Sequence, residues 1–513
     1  MNRKTDLFWT GLLAAVFLAF WLPVLNLQAS LSAGDMGRDL YAFWMTFQGK
    51  WPCQDYWWQY GPLMPLYYAF WFLVGGVNLA SVRMGVAVIY FLTALSAYAA
   101  LRLYVPRGIA FLAALAFLSL DMTWTYNHIG ALPFLILSIF FLWKFFLTQR
   151  ISWVYAGLGA LGIVTAVKVN TGMAFFPAFW LSLFLGKIFP RHWKHLIFLP
   201  LLFFAAAVLI YAPLYWGLSR EWIQQCLTLK SEYHMGPSPW TNFKHLIQAY
   251  LFWSPERQFG LAAFLGLAVL AWRGRSRGSS PSFRVIGSLV LFGLFASVEY
   301  LLQEGLIYRF DFWTFPVLVL FLGIGLEGTG RLFSRRTNLV LGALLFFLLI
   351  GFPAWGLKEA LTWRRPERYL TPPHGKIYLG SPVSYPAVLN EASRFLRENT
   401  RPDQEILTLP YDPIYCFLSG RRHALRELDF MEHIHLGVEQ EKGILQELDR
   451  KKVPYVVISN RYRSKEAGVG HFGVTHARRL SEYLSTYYSE VKTFGPWEPD
   501  DHLHAVKILK RND

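Results

Sequence analysis

Charge is what this chain has least of. Asp, Glu, Lys and Arg make up 16% of its 513 residues, against about 25% in a typical soluble domain. That shortage excludes a wholly soluble protein. Acids are scarcer than bases, 33 against 49, which leaves a net charge of +16. The bases lie mostly between apolar runs, where membrane topology accounts for them, so nucleic acid is set aside as a partner. Cysteine is nearly missing: Cys53, Cys226 and Cys416 are the three, none in a C-x-x-C and none at a His spacing suited to a metal. No disulfide framework can be built from them. At most one internal bridge can form, Cys53–Cys226 being a candidate pair, and unpaired packing is the reading we adopt. There is no internal repeat, and the inverted repeat of many transporters is absent with it. The segment RGRSRGSSPS at 273–282 reads as a flexible basic loop.

What the chain does have is apolar sequence: 54% of residues are hydrophobic and 18% aromatic. Long apolar runs fill residues 1–360, while 365–513 reads as ordinary soluble sequence. A span needs about 20 apolar residues, and eleven fit the pattern. They are placed near 8–28, 79–101, 108–121, 131–148, 152–168, 171–186, 196–217, 259–272, 285–303, 312–328 and 338–357. The first run, Phe8–Leu27, is long for a signal peptide and lacks a cleavage site, so it is read as a span that stays in place. The fold class expected is therefore a polytopic α-helical membrane protein with a C-terminal soluble α/β domain.

The short basic loops give the orientation. Arg3/Lys4, Arg102/Arg107, Lys144/Arg150, Lys187/Arg191/Lys194, Arg273/Arg275/Arg277/Arg284 and Arg331/Arg335/Arg336 all fall on one side, which the positive-inside rule makes the cytoplasm. The other side receives 29–78, 218–258, 304–311 and the tail. We thus expect a multi-pass protein of the cell (inner) membrane, N-terminus inside and C-terminal domain extracytoplasmic. Pro62–Gly75 is apolar but too short to span, which suits an interfacial or re-entrant helix. Residues 218–258, with Trp222, Trp240, Trp253, His234, Lys244 and Arg257, also have an interfacial composition.

In the tail, Val388, Ala392, Phe395 and Leu396 recur at helical spacing, and Glu405–Pro410 is strand-like. A helix near Gln440–Arg450 precedes PYVVIS at Pro454–Ser459, a buried-strand pattern. A third helix near Ala477–Tyr488 precedes strand-like Glu490–Phe494 and Leu503–Leu509. The tail carries no Gly-rich phosphate loop, Ser/His/Asp motif or metal spacing. It is read as a docking or lid domain without chemistry of its own.

The strongest local signal follows the first span: GDMGRDLYAFWMTFQGKWPCQDYWWQYGPLMPLYYA, residues 34–69. Asp35, Asp39 and Asp55 sit there in a dense aromatic setting, and for Asp39 simple pairing with Arg38 or an outside cation is also open. A lone surface Asp is usually just solvated, but a partly desolvated carboxylate is a better proton acceptor. Lys168 ends a span, where snorkelling to the interface and phosphate binding are both open. Arg309 offers a bidentate fork for phosphate, against pairing with Asp311 or Glu304. Arg83, near the outer end of the second span, is a further basic candidate. Glu299 lies inside an expected span, where an ionisable group is functional by default or hydrogen-bonded to a neighbouring helix. Asp121, Asn127 and His128 occupy a short outer turn; a lone His is more often merely hydrogen-bonded.

The order of residues in 34–62 resembles the first outer loop of the GT-C superfamily of membrane glycosyltransferases, of the protein-mannosyltransferase and aminoarabinose-transferase type. That pattern, D-x-G-x-x-x-Y, then Gly, P-Y-x-D-F and a Pro-containing K-P-P or G-P, is met here by Asp35, Gly37, Tyr41, Gly49, Pro52, Asp55, Tyr56 and Gly61-Pro62. Cys53 stands where the pattern has Tyr, Tyr56 where it has Phe, and Gly61 where it has Lys. AGLGALGIVTAVKVNTG at 156–172, LIYRFDFWTFP at 306–316 and the segment Tyr415–Arg421 are similar to later stretches of the family. The resemblance implies a GT-C-like fold and an inverting glycosyl transfer from a polyprenyl-phosphate sugar to a glycan, lipid or protein acceptor. It implies Asp35 as the catalytic base, and Asp39, Asp55, Asn127 and His128 as acceptor-side or supporting groups. Lys168, Arg309 and Arg83 would bind the donor phosphate. No metal and no cofactor are expected, since there is no clear D-x-D and the lipid-linked sugar is a co-substrate. A transporter or flippase of lipid-linked glycans is the competing reading; the acids cluster in an outer loop rather than at mid-membrane, which favours the enzyme.

Overall fold

A computed structural model describes residues 3–22, 28–29, 31–32, 34–119, 127–186, 192–227, 239–248, 283–303, 316–321, 323–324, 369–370, 377–379, 384–434, 436–463, 470–497 and 504–512. Helices stand at most of the expected apolar stretches: α1 (Arg3–Val16), α4 (Leu79–Leu101), α5 (Arg107–Ser119), α6 (Leu132–Thr148), α7 (Ser152–Val167), α8 (Val169–Leu185), α9 (Trp193–Tyr215) and α12 (Phe283–Gln303). Between the first two lie α2 (Asp35–Phe47) and α3 (Leu63–Gly75), and after α9 come α10 (Arg220–Leu227) and α11 (Pro239–Gln248). The stretches expected at 259–272 and 338–357 lie outside the described residues, and 312–328 is described only in part.

Among the described residues three helices, Leu79–Leu101, Ile129–Thr148 and Trp193–Tyr215, are long and apolar enough to cross a membrane, and six shorter apolar helices join them. The protein is a multi-pass membrane protein. The packing is pairwise: α4 on α5 and α6, α6 on α7, α8 on α12, and α9 on α7. The outer face of α9, with Phe198, Leu201, Val208 and Leu209, is exposed, as a lipid-facing helix requires.

Two sets of loops gather at the two ends of α4, a helix of 23 residues and so about 35 Å long. At its C-terminal end Asp6 accepts hydrogen bonds from Arg102 (3.1 Å) and Arg107 (2.8 Å). These pairs draw its carboxyl below the ordinary range, the Arg107 bond contributing most. At the other end lies the aromatic segment 34–62. The helices α7 and α8 are joined there by a single extended residue, Lys168 (φ −150°, ψ 111°). A turn this tight needs the helices to touch: a Cβ on Gly172 would come within 2.0 Å of the Thr165 hydroxyl.

The C-terminal region is a mixed five-stranded sheet in the order β5-β4-β6-β8-β7, formed by β4 (Glu405–Leu409), β5 (Arg422–His423), β6 (Tyr455–Ser459), β7 (Tyr488–Phe494) and β8 (Val506–Arg511). β4 runs parallel to β5 and β6, while β8 is antiparallel to β6 and β7. Helices α13 (Ser384–Asn399), α14 (Ile414–Ser419), α15 (Val438–Lys451) and α16 (Arg478–Tyr487) accompany it. The run Tyr455–Ile458 is unbroken by polar residues because both faces of β6 are covered. Val456 joins Leu407, Leu409, Leu448 and Leu480 on one side. Tyr455 and Val457 join Ile406, Ile508 and Leu396 on the other, in an apolar cluster continuous with the membrane helices. A small three-stranded sheet pairs β1 (Gln28–Ala29) and β2 (Tyr369–Leu370) with β3 (Ile377–Leu379), tying the segment after α1 to the start of the tail.

Candidate active site

Helix α2 builds the site. Gly34 precedes it, and Ser32 accepts the Met36 and Gly37 amides through its hydroxyl and carbonyl, each at 3.1 Å. Asp35 is in the first turn, where the helix dipole favours an anion. A spacing of i, i+3, i+4 then puts Asp35, Arg38 and Asp39 on one face. Arg38, 1% exposed, lies between the two acids. Its Nε and Nη2 donate to Asp39 Oδ1 (3.1 and 2.8 Å), and its Nη1 donates to Asp35 Oδ1 (3.2 Å). The rings of Tyr60 and Trp58 lie 5.1 and 5.8 Å from its guanidinium carbon. Burial opposes its charge, yet the oxygens of Tyr411, Asp39, Tyr60 and Asp35 hold it above the usual guanidinium range.

The C-terminal region supplies one more group. The Tyr411 hydroxyl accepts from Arg38 Nη1 and donates to Asp35 Oδ1, both at 2.9 Å. Burial pushes this phenol well above its ordinary range, so it stays protonated. Asp35 is thus held at one oxygen by two donors while its side chain remains 57% exposed.

Asp39 is wholly buried. Asn127 Nδ2 donates to both its oxygens, at 2.9 and 3.0 Å. Burial pushes its carboxyl up and Arg38 pulls it back, leaving it at about 6. His128 is buried and stands edge-on to Tyr60, ring centroids 5.1 Å apart. Asp55 is apart from this group: it accepts the Trp51 amide (2.8 Å) and pairs with Lys50 (3.5 Å), closing the turn before Tyr56.

Lys168 is buried, 4% exposed, at the apex of the α7–α8 hairpin. The aromatic loop covers that apex, Gly61 N donating to Val167 O at 3.0 Å. Only glycine fits, since a Cβ would lie 1.9 Å from the Ala166 carbonyl oxygen. Gly61 O in turn accepts from Trp58 Nε1 (3.0 Å), so continuous contacts run from the Lys168 apex to Arg38. Arg83 is buried in α4. Arg309 and Asp121 lie outside the described residues, as does the Glu299 side chain. Cys53, Cys226 and Cys416 are buried free thiols. Among the described residues no three His, Cys, Asp or Glu side chains form a metal cluster.

The structure therefore brings Asp35, Asp39, Asn127 and His128 together and sets Asp55 aside. Arg38, which the sequence offered only as a pairing partner for Asp39, makes that pair and reaches Asp35 as well, and the structure adds Tyr60 and Tyr411, which the sequence did not single out. Arg38 had a signal, its spacing from the two acids. Tyr411 had none, being 376 residues from Asp35.

No protein-family profile matches the chain, and no curated protein matches it by sequence. Solved structures do match its fold. ArnT from Cupriavidus metallidurans in the apo state is 14% identical over 98% of each chain, with a TM-score of 0.63. The same protein bound to undecaprenyl phosphate is 12% identical over 99% of this chain and 98% of that one, with a TM-score of 0.61. The Archaeoglobus fulgidus oligosaccharyltransferase, apo, is 13% identical over 96% of this chain and 73% of its own, with a TM-score of 0.56. At these identities the likeness shows a shared fold.

Proposed function

We propose that this protein is an inverting glycosyltransferase that moves a sugar from a polyprenyl-phosphate donor to an extracytoplasmic acceptor, with Asp35 as the general base. One observation carries the reading: a carboxylate fixed at one oxygen by Arg38 and Tyr411 yet half exposed. A similar fold has also been solved with undecaprenyl phosphate bound, which motivates the choice of donor.

The chemistry asks for a positioned base and for cations at the leaving group. The acceptor X–H gives its proton to Asp35, and its electron pair forms the bond to the anomeric carbon. The bond from that carbon to the phosphate oxygen breaks on the opposite face, and the pair leaves as polyprenyl phosphate. Lys168, Arg83 and Arg309 are the candidate cations for that phosphate. Asp39, Asn127 and His128 act in support, holding Arg38 and Tyr60, while Asp55 shapes the loop. The donor is a co-substrate, and the reading needs no metal.

The test is transfer from a panel of labelled undecaprenyl-phosphate sugars by the purified full-length chain, wild type against Asp35→Asn. Loss of a general base should slow transfer by at least about 100-fold. Equal transfer by Asp35→Asn removes Asp35 from the role. Transbilayer movement of intact donor with no bond cleavage overturns the enzyme reading.

A further inference from the structure

We propose that the C-terminal domain completes the active site, with Tyr411 as a positioning residue that fixes the Asp35 carboxylate. This rests on Asp35 being the base, as above. Three observations carry it.

First, the contact is specific in direction. Arg38 Nη1 donates to the Tyr411 hydroxyl, which spends its own hydrogen on Asp35 Oδ1. A phenol arranged this way relays the pull of a buried guanidinium onto one carboxylate oxygen. The second oxygen is thereby turned in a fixed direction, as a base must be to meet an acceptor proton within hydrogen-bond reach.

Second, the domain is seated tightly where Tyr411 enters. A Cβ on Gly37 would lie 2.7 Å from the backbone nitrogen of Ile414, and one on Gly34 would lie 2.7 Å from Arg461 and 2.9 Å from the Tyr411 ring. Glycine at 37 lets α2 meet the backbone at the start of α14, and glycine at 34 leaves room for the Tyr411 ring and the Arg461 side chain. Tyr411 therefore cannot swing aside without the domain itself moving.

Third, the seat is stitched on both flanks. Tyr41 accepts the His423 amide (3.0 Å), and Phe72 stacks on Phe417 with centroids 6.1 Å apart. On the far flank Trp57 N donates to Arg426 O (2.9 Å), and the Arg426 guanidinium lies 3.9 Å over Trp222. Trp222 itself donates to Cys53 O (2.5 Å). These contacts make the tail part of the wall around Asp35.

The experiment compares wild type, Tyr411→Phe and, as a control, Tyr415→Phe, all full length in detergent. Tyr415 gives up an equivalent hydroxyl, bonded to His504 at 2.7 Å, and does not touch Asp35. Water-soluble carbodiimide modifies protonated carboxyls, so labelling of the Asp35 peptide against pH, followed by mass spectrometry, gives the midpoint of its ionisation without needing a substrate. Loss of a donor to a charged group should move that midpoint up by about one pH unit in Tyr411→Phe and leave Tyr415→Phe at the wild-type value. In the transfer assay, kcat should fall about tenfold with the donor KM unchanged. An unmoved midpoint in Tyr411→Phe, or equal movement in both variants, overturns the proposal. If Asp35→Asn transfers normally, the base assignment has failed instead, and the labelling midpoints still decide whether Tyr411 governs Asp35.

Discussion

At the scale of single residues, Arg38 holds the arrangement. One guanidinium has three nitrogens committed to Asp35, Asp39 and Tyr411, a division that a planar fork can make and a lysine cannot. Removing one partner of a buried ion pair leaves the other uncompensated. Arg38→Gln should therefore lower stability by about 3–5 kcal/mol, measured by thermal unfolding of the purified chain. Adding Asp39→Asn should return much of that loss, because the stranded charge goes too, while transfer stays low. The aspartates were legible in the sequence because acids are rare in an aromatic segment. The Arg38–Asp39 pair was legible too, because the two are adjacent in the chain, whereas the bond from Arg38 to Asp35 follows only from the helical i, i+3 spacing of α2.

At the scale of elements, the edge strand β5 carries a pH dependence. His423 Nε2 accepts the Thr408 amide (3.3 Å), and Nδ1 donates to Leu425 O (2.9 Å), the pattern of a neutral ring. Burial depresses its pKa to about 4, whereas the unfolded chain titrates near about 6.5. Between those values only the unfolded chain takes up the proton. The contribution of His423 is thus complete above about 6.5 and is lost as pH falls to 4, on the order of 3 kcal/mol in all. His504, lowered to about 3 by burial, adds to the same trend. Unfolding temperatures compared at about pH 7.5 and about pH 5 should fall steeply for wild type and less for His423→Gln. Strands such as β4 and β6 were readable because both faces are buried and the sequence shows it as an apolar run. The two-residue strands β1, β2 and β5 were not, since so short a pairing is set by its tertiary neighbours rather than by any local pattern.

At the scale of the molecule, if Tyr411 positions Asp35 as proposed, one seam between α2 and α14 decides whether the candidate site is complete. Gly37→Leu places a side chain where the Ile414 backbone runs. We expect faster hydrogen exchange across 411–419 and a loss of transfer with Asp35 intact. Gly159→Ala in α7, with nothing within 4 Å of its Cβ, should change neither. No reading of the sequence could have found this seam, because its halves share no local pattern. The same separation has a consequence in time. Tyr411 is made 376 residues after Asp35, so at about 5–20 residues per second the ribosome adds it roughly 20–75 s later. During that interval the nascent chain already has its acids and its membrane helices but not the hydroxyl that orders them. On the proposed function, an unfinished or truncated chain in the bilayer would therefore be idle, and competence would arrive only when the domain that carries Tyr411 settles.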